Sequence, residues 1–420
     1  MKIHFKSLMP EVLSGDKIQQ RNYILGILIC KINVTIAMGV NVYNFTAFLT
    51  LYPSSLIPYW MLGDSIILII IGEITNWYNP KNIKKYVICV NYILITTIII
   101  IFFLNLTSWS FVPLTTIFTL KAVSSMTGII SWSLMSVLFY HNQYKSVVNY
   151  LTIAGSLSSI ISPIIIAQIV ILMSLESMIQ ILLFLLVSSA ILIFFTHDIM
   201  TAQKENRVQK TSTSPFQYPL FKTLYILTLV FYILGYLADF FFRKELAIHF
   251  NKNDITIITS VFLTVTNLIS LTMLLFAPFI QSKFKFYMVL QFTFSLVSII
   301  GLIYFLDQNL SWPIIALNTV LTAFSYGYFS TTTKSIRNIF PQSIIIKGDI
   351  YLKSYGTAYA SIFVSVLAII ARQIYNLSLL FVVLSLSAIF ISYQLFVRYL
   401  DTLKQMLVKS NFNIAKINTA

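Results

Sequence analysis

Charged residues are scarce in this sequence. Asp, Glu, Lys and Arg make up 10% of its 420 residues, whereas a soluble domain usually carries about 25%. Hydrophobic residues make up 58%, and the mean hydropathy is +0.84. A soluble fold of this size cannot hide so much apolar surface, because its surface area still grows with its mass. The composition therefore excludes an ordinary soluble domain and predicts a chain that is solvated largely by lipid.

Several kinds of chemical group are also missing. The two cysteines, Cys30 and Cys89, lie in apolar runs, which excludes a disulfide framework. The sequence contains no His/Cys cluster that would indicate a metal site and no Walker loop that would indicate ATP hydrolysis. The polar N-terminus, residues 1–21, lacks the short apolar region of a signal peptide. We therefore expect no enzyme activity, no cofactor, no metal and no cleaved leader.

Apolar runs of membrane-spanning length recur along the whole chain. A helix needs roughly 20 apolar residues to cross the hydrocarbon core. The sequence predicts an all-α polytopic membrane protein with about twelve transmembrane helices in two six-helix lobes. The predicted spans are 22–50, 55–77, 85–105, 109–140, 147–173, 177–196, 220–246, 255–280, 285–306, 311–338, 350–371 and 375–399.

Most of the basic residues are predicted to lie on one side of the membrane. With the N-terminus inside, only Arg243, Lys244, Lys252 and Arg372 of the 28 Lys and Arg residues lie in the opposite loops or helix ends. This bias is the positive-inside rule, and it accounts for the net charge of +15 without nucleic acid as a partner. We expect a multi-pass protein of the cell inner (plasma) membrane with both termini cytoplasmic.

The longest polar interruption lies at the middle of the chain. We predict an N-terminal lobe over 1–196, a cytoplasmic linker over 197–219, a C-terminal lobe over 220–399 and a cytoplasmic tail over 400–420. Two six-span halves joined by a basic loop resemble the major facilitator superfamily, whose halves are related repeats. Some lipid-linked sugar flippases share this layout.

Three stretches resemble the nucleotide (ATP/ADP) translocase-like branch of transporters. They are 48–59 (FLTLYPSSLIPY), 149–157 (NYLTIAGSL) and 347–361 (KGDIYLKSYGTAYAS). The first is similar to that branch's link between spans one and two, and the others to its entries into spans five and eleven. The resemblance implies the two-lobe fold and secondary transport, with nucleotide exchange as one possible activity.

Two general facilitator patterns are present in altered form. The loop over 72–85 ends in Lys84 and Lys85 and resembles a gating loop. Ser158, Ser162 and Pro163 resemble the Gly-rich motif of antiporters. Ordinary packing of small residues between helices, with a bend at proline, explains the second pattern equally well.

Charged residues inside spans are the best candidates for a binding site. A charge at the centre of a membrane helix costs about 2.5–3.5 kcal/mol on insertion scales and marks a partner or a water-filled path. Lys31, Asp64 and Lys121 lie in spans one, two and four. They predict binding of an anionic or zwitterionic solute by the two lysines, with Asp64 as counter-charge or proton site. A structural Lys–Asp pair between helices is the alternative.

Span seven carries a second charged group. Asp239 and Arg243 are spaced by four residues and share a helix face, which predicts a local pair. Arg243 and Lys244 also break the positive-inside pattern, so they are expected either to line an outward vestibule or to mark a helix end. Asp239, Arg243 and Lys244 therefore join the predicted substrate site.

Further charges lie near the cytoplasmic ends of spans, where gate residues and membrane-edge residues both occur. The predicted gating residues are Glu73, Lys84, Lys85, Lys334 and Arg337. The buried amides of Asn33, Asn41, Asn267 and Asn318 are expected to bridge helices. Tyr232, Tyr236 and Tyr326 have two open uses, stacking on a planar ligand or contacting lipid.

These features predict a secondary active transporter that moves a small anionic or zwitterionic organic solute by alternating access. Its expected partners are that solute, a coupling proton or counter-substrate, and the lipid bilayer. A lipid-linked substrate flippase is the first alternative. A membrane-embedded enzyme or sensor is the second, although catalytic groups are sparse.

Overall fold

The computed structural model describes residues 17–77, 83–107, 109–138, 141–173, 177–196, 214–337, 350–371 and 374–417. These residues form helices and short connections, and no strand occurs among them. In lipid the backbone N–H and C=O groups must form hydrogen bonds within the protein, which explains the helical structure. The helices are α1 Lys17–Leu51, α2 Ile57–Trp77, α3 Ile83–Asn105, α4 Val112–Leu138, α5 His141–Leu172, α6 Ser177–Phe194, α7 Pro219–His249, α8 Lys252–Lys283, α9 Phe286–Leu306, α10 Trp312–Phe324, α11 Ser330–Arg337, α12 Gly356–Ile370 and α13 Ile374–Ile417.

Two π-helical segments interrupt the late helices. Ser325–Phe329 joins α10 to α11, and Ile350–Tyr355 leads into α12. Such segments often occur at functional positions within α-helices. Prolines occupy the first turns of α2, α7 and α10, where their missing N–H costs nothing.

Nine helices in the described part of the chain are long and apolar enough to cross a membrane. Each predicted span overlaps a helix, but several helix ends differ from the predictions. α1 begins at Lys17 and α5 at His141, and α13 continues to Ile417. Hydropathy marks where the hydrocarbon ends, whereas a helix continues as long as its backbone bonds and polar side chains are satisfied in the interface.

The chain divides into two compact units. The first comprises Met1–Leu56, Ile70–Arg207 and Leu246–Leu268, and the second comprises Ile57–Ile69, Val208–Glu245 and Ile269–Ala420. The first part of α2 thus belongs with the second unit, and the first part of α8 belongs with the first unit. The lobe boundaries predicted from chain order stay a prediction.

Helix α1 lies at the centre of the first unit and packs against α4, α5 and α6. Neutral amides tie these helices together. Asn44 donates to the Ile117 carbonyl at 3.1 Å, and Asn22 donates to the Leu138 carbonyl at 3.3 Å. Asn33 donates to the Ser131 hydroxyl and accepts a bond from Ser189 at 3.1 Å. These pairs show that α1 and α4 are antiparallel, and they confirm the bridging role predicted for Asn33.

The first part of α8 is held in the same unit by hydrogen bonds. The hydroxyls of Thr46 and Thr256 lie 3.0 Å apart, and Thr264 donates to the Ile160 carbonyl at 3.1 Å. Asn267 donates to the Ser159 carbonyl at 3.1 Å. This contact confirms that Asn267 bridges helices.

The second unit has an aromatic core with close helix approaches. Phe231 stacks on Phe329 with ring centroids 4.4 Å apart and also contacts Phe294 and Phe324. In the π-helical segment after α10, a Cβ at Gly327 would lie 2.9 Å from the Ser270 carbonyl oxygen of α8. Glycine therefore permits a backbone approach that any side chain would oppose.

Candidate functional site

Polar and aromatic side chains from three helices of the second unit meet near the middle of the membrane spans. The Tyr236 hydroxyl interacts electrostatically with the carboxylates of Asp64 and Asp239 and with the phenols of Tyr232 and Tyr326. Tyr326 also interacts electrostatically with Asp239. We call these five residues the carboxylate–phenol cluster.

Helical geometry places the cluster at depth. Asp64 lies about two turns after the start of α2, and Tyr236 lies near the middle of the 31-residue α7. Tyr326 lies in the π-helical segment after α10, about four turns from the start of that helix. Tyr232, Tyr236 and Asp239 follow a helical spacing and form one stripe along α7.

The cluster is accessible rather than sealed. The Tyr326 side chain is 66% exposed, and Asp64, Tyr236 and Asp239 are half-buried. A phenol hydroxyl or a carboxylate directed into hydrocarbon would lose its hydrogen bonds at a cost of several kcal/mol. Because Tyr326 interacts electrostatically with Asp239 and Tyr236, we interpret its exposed ring as facing a water-accessible path.

Arg243 connects α7 to α2 beside this cluster. Its Nη2 lies 2.5 Å from Asp239 Oδ2, and its guanidinium carbon lies 4.0 Å from the centroid of the Trp60 ring. Trp60 is 2% exposed and Arg243 is 8% exposed. We call Trp60, Arg243 and Asp239 the Arg243 bridge. The local Asp239–Arg243 pair predicted from their spacing is present.

The structure places Arg243 in a buried position rather than on an exposed vestibule wall, because it is stacked on Trp60 and paired with Asp239. Lys244, its neighbour, is half-buried on another face of α7. Glu245 accepts a hydrogen bond at 3.0 Å from Ser311, the residue before α10. Ser361 of α12 donates to the Met61 carbonyl at 3.3 Å, which also holds α2 in this unit.

The two predicted lysine ligands lie in the first unit and at different depths. Lys31 is exposed on α1, and Lys121 is half-buried on α4. The Asn33–Ser131 and Asn44–Ile117 contacts give the register of these antiparallel helices. Lys121 is level with the part of α1 that lies about nine residues beyond Lys31, a separation of about 14 Å along the axis. Joint binding of one solute by the two lysines stays a prediction.

The predicted gating residues have varied surroundings. Lys84 donates to the carbonyl of Thr196, just beyond the end of α6, and this bond satisfies a helix-end carbonyl. Glu73 and Lys85 are exposed near the ends of α2 and α3. Lys334 and Arg337 belong to α11, but their side chains lie outside the described part of the structure.

Trp60 is the participant that sequence reasoning missed. Two signals in the sequence point to it. Trp60 and Asp64 are spaced by four residues, so they share one face of α2. Tyr232, Tyr236, Asp239 and Arg243 form a polar and aromatic stripe along an otherwise apolar helix. Two such stripes in separate spans indicate helices that face each other.

Solved structures of transporters resemble this chain in fold. The nucleoside transporter NupG aligns with a TM-score of 0.67 and 11% identity, over 89% of this chain and 100% of that chain. A D-xylose–proton symporter aligns with a TM-score of 0.63 and 13% identity, over 90% and 96%. A bacterial homologue of the iron transporter ferroportin, in an inward-facing state, aligns with a TM-score of 0.60 and 12% identity, over 92% and 99%.

No protein-family model matches the chain, and no curated protein matches it in sequence. The structural similarities establish the fold: the chain is an all-α polytopic membrane protein with the major facilitator fold of about twelve helices in two six-helix lobes. These similarities do not distinguish the nucleotide translocase-like branch from other branches of that fold, so the branch stays a prediction.

Proposed function

We propose that the protein is a secondary active transporter that moves a small organic solute across a membrane by alternating access. The carboxylate–phenol cluster is the observation that carries this proposal. It puts two carboxylates and three phenols near mid-depth on helices of a fold that is similar to those of solved transporters. Ionisable groups at such depth are costly and mark solute or proton pathways. Substrate sites in transporters of this class also lie near the bilayer midplane.

Asp64 is the proposed proton-coupling group. It lies on α2 within electrostatic range of Tyr236. Protonation removes the charge from a carboxylate. The energetic cost of burying Asp64 as the site changes from facing one side of the membrane to facing the other is therefore lower for the protonated form than for the ionised form. A transmembrane proton gradient would then bias the cycle in one direction.

The Arg243 bridge is the proposed structural partner of this site. Arg243 holds α2 through the Trp60 ring and holds Asp239 through an ion pair. The carboxylate that interacts electrostatically with Tyr326 is therefore also paired with the arginine that joins α2 to α7. Binding at Asp239 would change that contact directly.

The membrane and the orientation are also proposed. The distribution of Lys and Arg supports the cell inner membrane with both termini cytoplasmic. With this orientation, Trp60 and Arg243 lie on the outer side of the carboxylate–phenol cluster. A cysteine placed at residue 5 or 415 should react with an impermeant thiol reagent only after the cell membrane is opened. Labelling of either position in intact cells would contradict the orientation.

The proposed function is tested by uptake into proteoliposomes that contain the purified protein. The probes are labelled ATP with ADP inside the vesicles, and labelled uridine, tyrosine and tyramine under an inward proton gradient. Saturable uptake of any probe above that of protein-free vesicles supports the proposal. ADP-dependent uptake of ATP would establish nucleotide exchange. Absence of uptake of every probe, from protein that melts cooperatively, contradicts the proposal.

A further inference from the structure

We infer that the first unit binds an anionic phospholipid on its outer surface. One acyl chain of this lipid lies in an apolar groove between α3 and α6, and the headgroup phosphate lies at the membrane edge with Arg21 and Lys85. All the residues of this site belong to the first unit. The site is independent of which solute the protein transports.

The groove between α3 and α6 has a volume of about 480 Å³. All but one of the side chains that line it are apolar. They are Ile88, Tyr92 and Ile95 on α3 and Val187, Ala190, Ile191, Phe194 and Phe195 at and near the end of α6. A second groove of about 530 Å³ shares Ile88 and Tyr92 and extends along α3 from Lys85 to Thr97. We call the two together the α3–α6 groove.

The walls of the α3–α6 groove are exposed and suited to contact with an acyl chain. Tyr92 is 63% exposed and Phe194 is 69% exposed. Both helices are long and apolar enough to cross a membrane, so these surfaces meet lipid tails, which are as apolar as leucine. Thr96 and Thr97 donate their hydroxyls to carbonyls of their own helix at 2.9 and 2.8 Å. These two hydroxyls therefore need no partner from the lipid.

The length of the groove matches one leaflet of the bilayer. From Lys85 to Ile95, α3 advances by about 15 Å, which is half of the hydrocarbon core of about 30 Å. From Phe195 back to Val187, the chain covers about 12 Å in the same direction. A chain that enters at Lys85 therefore reaches about the middle of the bilayer, as an acyl chain of one leaflet does.

Three basic residues surround the end of α6, where the groove begins. The Arg21 guanidinium carbon lies 5.9 Å from the centroid of the Phe195 ring, which is part of the groove wall. Lys84 donates to the carbonyl of Thr196, the next residue. Lys85 follows Lys84 in the chain and lines the groove. These contacts place positive charge at the end of the groove where a headgroup would lie.

Lys84 is accounted for by its bond to the helix end, whereas Arg21 and Lys85 are both exposed. An ammonium group has three donors and a guanidinium group has five. Each of these two side chains can therefore bind phosphate oxygens in addition to its contacts within the protein.

The charge balance at this edge favours an anion. Helices α1, α3 and α6 contain no Asp or Glu. The acidic residues close in sequence to these helix ends are Asp16, Glu73 and Asp198, of which Glu73 is exposed on α2 and the other two lie outside the described residues. The same stretches carry five basic residues, namely Lys17, Arg21, Lys81, Lys84 and Lys85. Positive charge is therefore in excess.

This excess selects between two kinds of phospholipid. Both kinds present a phosphate, but a zwitterionic headgroup adds an ammonium group that the basic residues repel. Each Lys or Arg near a membrane surface favours an anionic lipid by about fivefold. The site should therefore prefer phosphatidylglycerol to phosphatidylcholine with the same acyl chains.

Competition between these two lipids tests the site. The purified protein is mixed with equal amounts of dioleoyl phosphatidylglycerol and dioleoyl phosphatidylcholine, and native mass spectrometry measures which lipid is retained first. We expect an excess of phosphatidylglycerol of about tenfold or more. Arg21→Gln and Lys85→Gln should each lower this ratio about three- to fivefold. Lys285→Gln is the matched control, because Lys285 of the second unit is also exposed and lies 5.7 Å from the Phe396 ring.

A second variant tests the groove without changing its charges. Ala190→Phe puts a ring into the groove wall and should lower the retention of phosphatidylglycerol about threefold or more. Val265→Phe adds the same ring at an exposed position on α8 and should leave retention unchanged. Glycerol 3-phosphate carries the anion without the chains. We expect phosphatidylglycerol to raise the Tm of the protein and glycerol 3-phosphate to leave it unchanged.

Several results would each overturn the inference. They are equal retention of the two lipids, an unchanged ratio in both Arg21→Gln and Lys85→Gln, an equal decrease in Lys285→Gln, and normal retention in Ala190→Phe. A rise in Tm with glycerol 3-phosphate as large as that with phosphatidylglycerol would indicate a site for a soluble anion and overturn the lipid assignment. All variants alter exposed or half-buried positions, and cooperative melting verifies that each is folded. None of these measurements involves uptake, so their failure is distinct from failure of the proposed function.

Discussion

The two units use polar residues inside the membrane in different ways. In the first unit, α1 is tied to its neighbours by neutral amides and hydroxyls, such as Asn33 with Ser131 and Ser189. In the second unit, α2, α7 and the π-helical segment after α10 bring together carboxylates, phenols and one guanidinium. Neutral pairs hold helices at little cost, whereas charged groups are costly and titratable. The contrast separates residues that build the fold from residues that are suited to a transport cycle.

Removal of the Asp64 charge should have the largest effect on function. Asp64→Asn keeps the size and polarity of the side chain but cannot exchange a proton. We expect proton-driven uptake of the transported probe to fall to the level of protein-free vesicles, with normal membrane insertion. Asp254→Asn, at the start of α8, is the control and should transport normally. Unchanged proton-driven uptake in Asp64→Asn would remove this residue from the coupling mechanism.

Removal of Arg243 should have the largest effect on stability. Arg243→Gln leaves the partly buried Asp239 carboxylate without its ion pair, and loss of one member of a buried pair costs about 3–5 kcal/mol. The Tm of the purified protein should fall accordingly. Arg398→Gln is the control, because Arg398 is exposed on α13 and donates a hydrogen bond to the Pro219 carbonyl. Equal losses of Tm in the two variants would contradict the role of the Arg243 bridge.

Two glycines provide a matched pair across the units. A Cβ at Gly327 would lie 2.9 Å from the Ser270 backbone oxygen, whereas a Cβ at Gly39 would meet the flexible ends of Met178 and Leu182. Backbone cannot move aside cheaply, so Gly327→Ala should destabilise the protein by about 1–3 kcal/mol and Gly39→Ala by less. Thermal melting of both variants measures the difference. A larger loss in Gly39→Ala would show that the α8 contact is loose.

The smallest effect concerns the neutral bridges of the first unit. Asn33→Ala removes the hydrogen bonds to Ser131 and Ser189, and such bonds in membrane proteins contribute about 0.6–2 kcal/mol. We expect a small decrease in Tm and uptake within about twofold of the unmodified protein. A complete loss of uptake with normal stability would place the first unit in the transport site and contradict the contrast between the two units.

The fold could be predicted from the sequence because its physical basis is local. Apolar runs of sufficient length define spans, and the side bias of Lys and Arg defines their alternation. The continuation of α13 to Ile417 was not predictable from hydropathy, since helix formation continues beyond the hydrocarbon. The π-helical segment Ser325–Phe329 was not predictable either, because the close contact between Gly327 and α8 depends on tertiary packing.

The site could be predicted only in part. The spacing of Asp239 and Arg243 within one helix predicted their pair, which is present. Lys31, Lys121 and Asp64 were predicted as substrate ligands from their depth in the membrane alone. A sequence indicates the depth of a residue in its span but not which helices surround it. The contact of Trp60 with Arg243 joins residues that are far apart in the chain. Such a contact follows from helix packing rather than from local pattern.

The most direct test of the account asks whether the carboxylate–phenol cluster lines a water-accessible solute path. Cys30 and Cys89 are first replaced by serine, and Tyr326→Cys and Phe292→Cys are made separately. Both native side chains are highly exposed, at 66% and 72%, but Phe292 lies on α9 among apolar residues. A hydrophilic thiol reagent reacts with the thiolate, which forms only where water is present.

The account predicts rapid labelling of the Tyr326→Cys variant in membranes, slowed by the transported solute, and little labelling of the Phe292→Cys variant. Labelling of the Tyr326→Cys variant as slow as that of the Phe292→Cys variant would show that residue 326 faces lipid. That result would contradict the assignment of the cluster to a transport path.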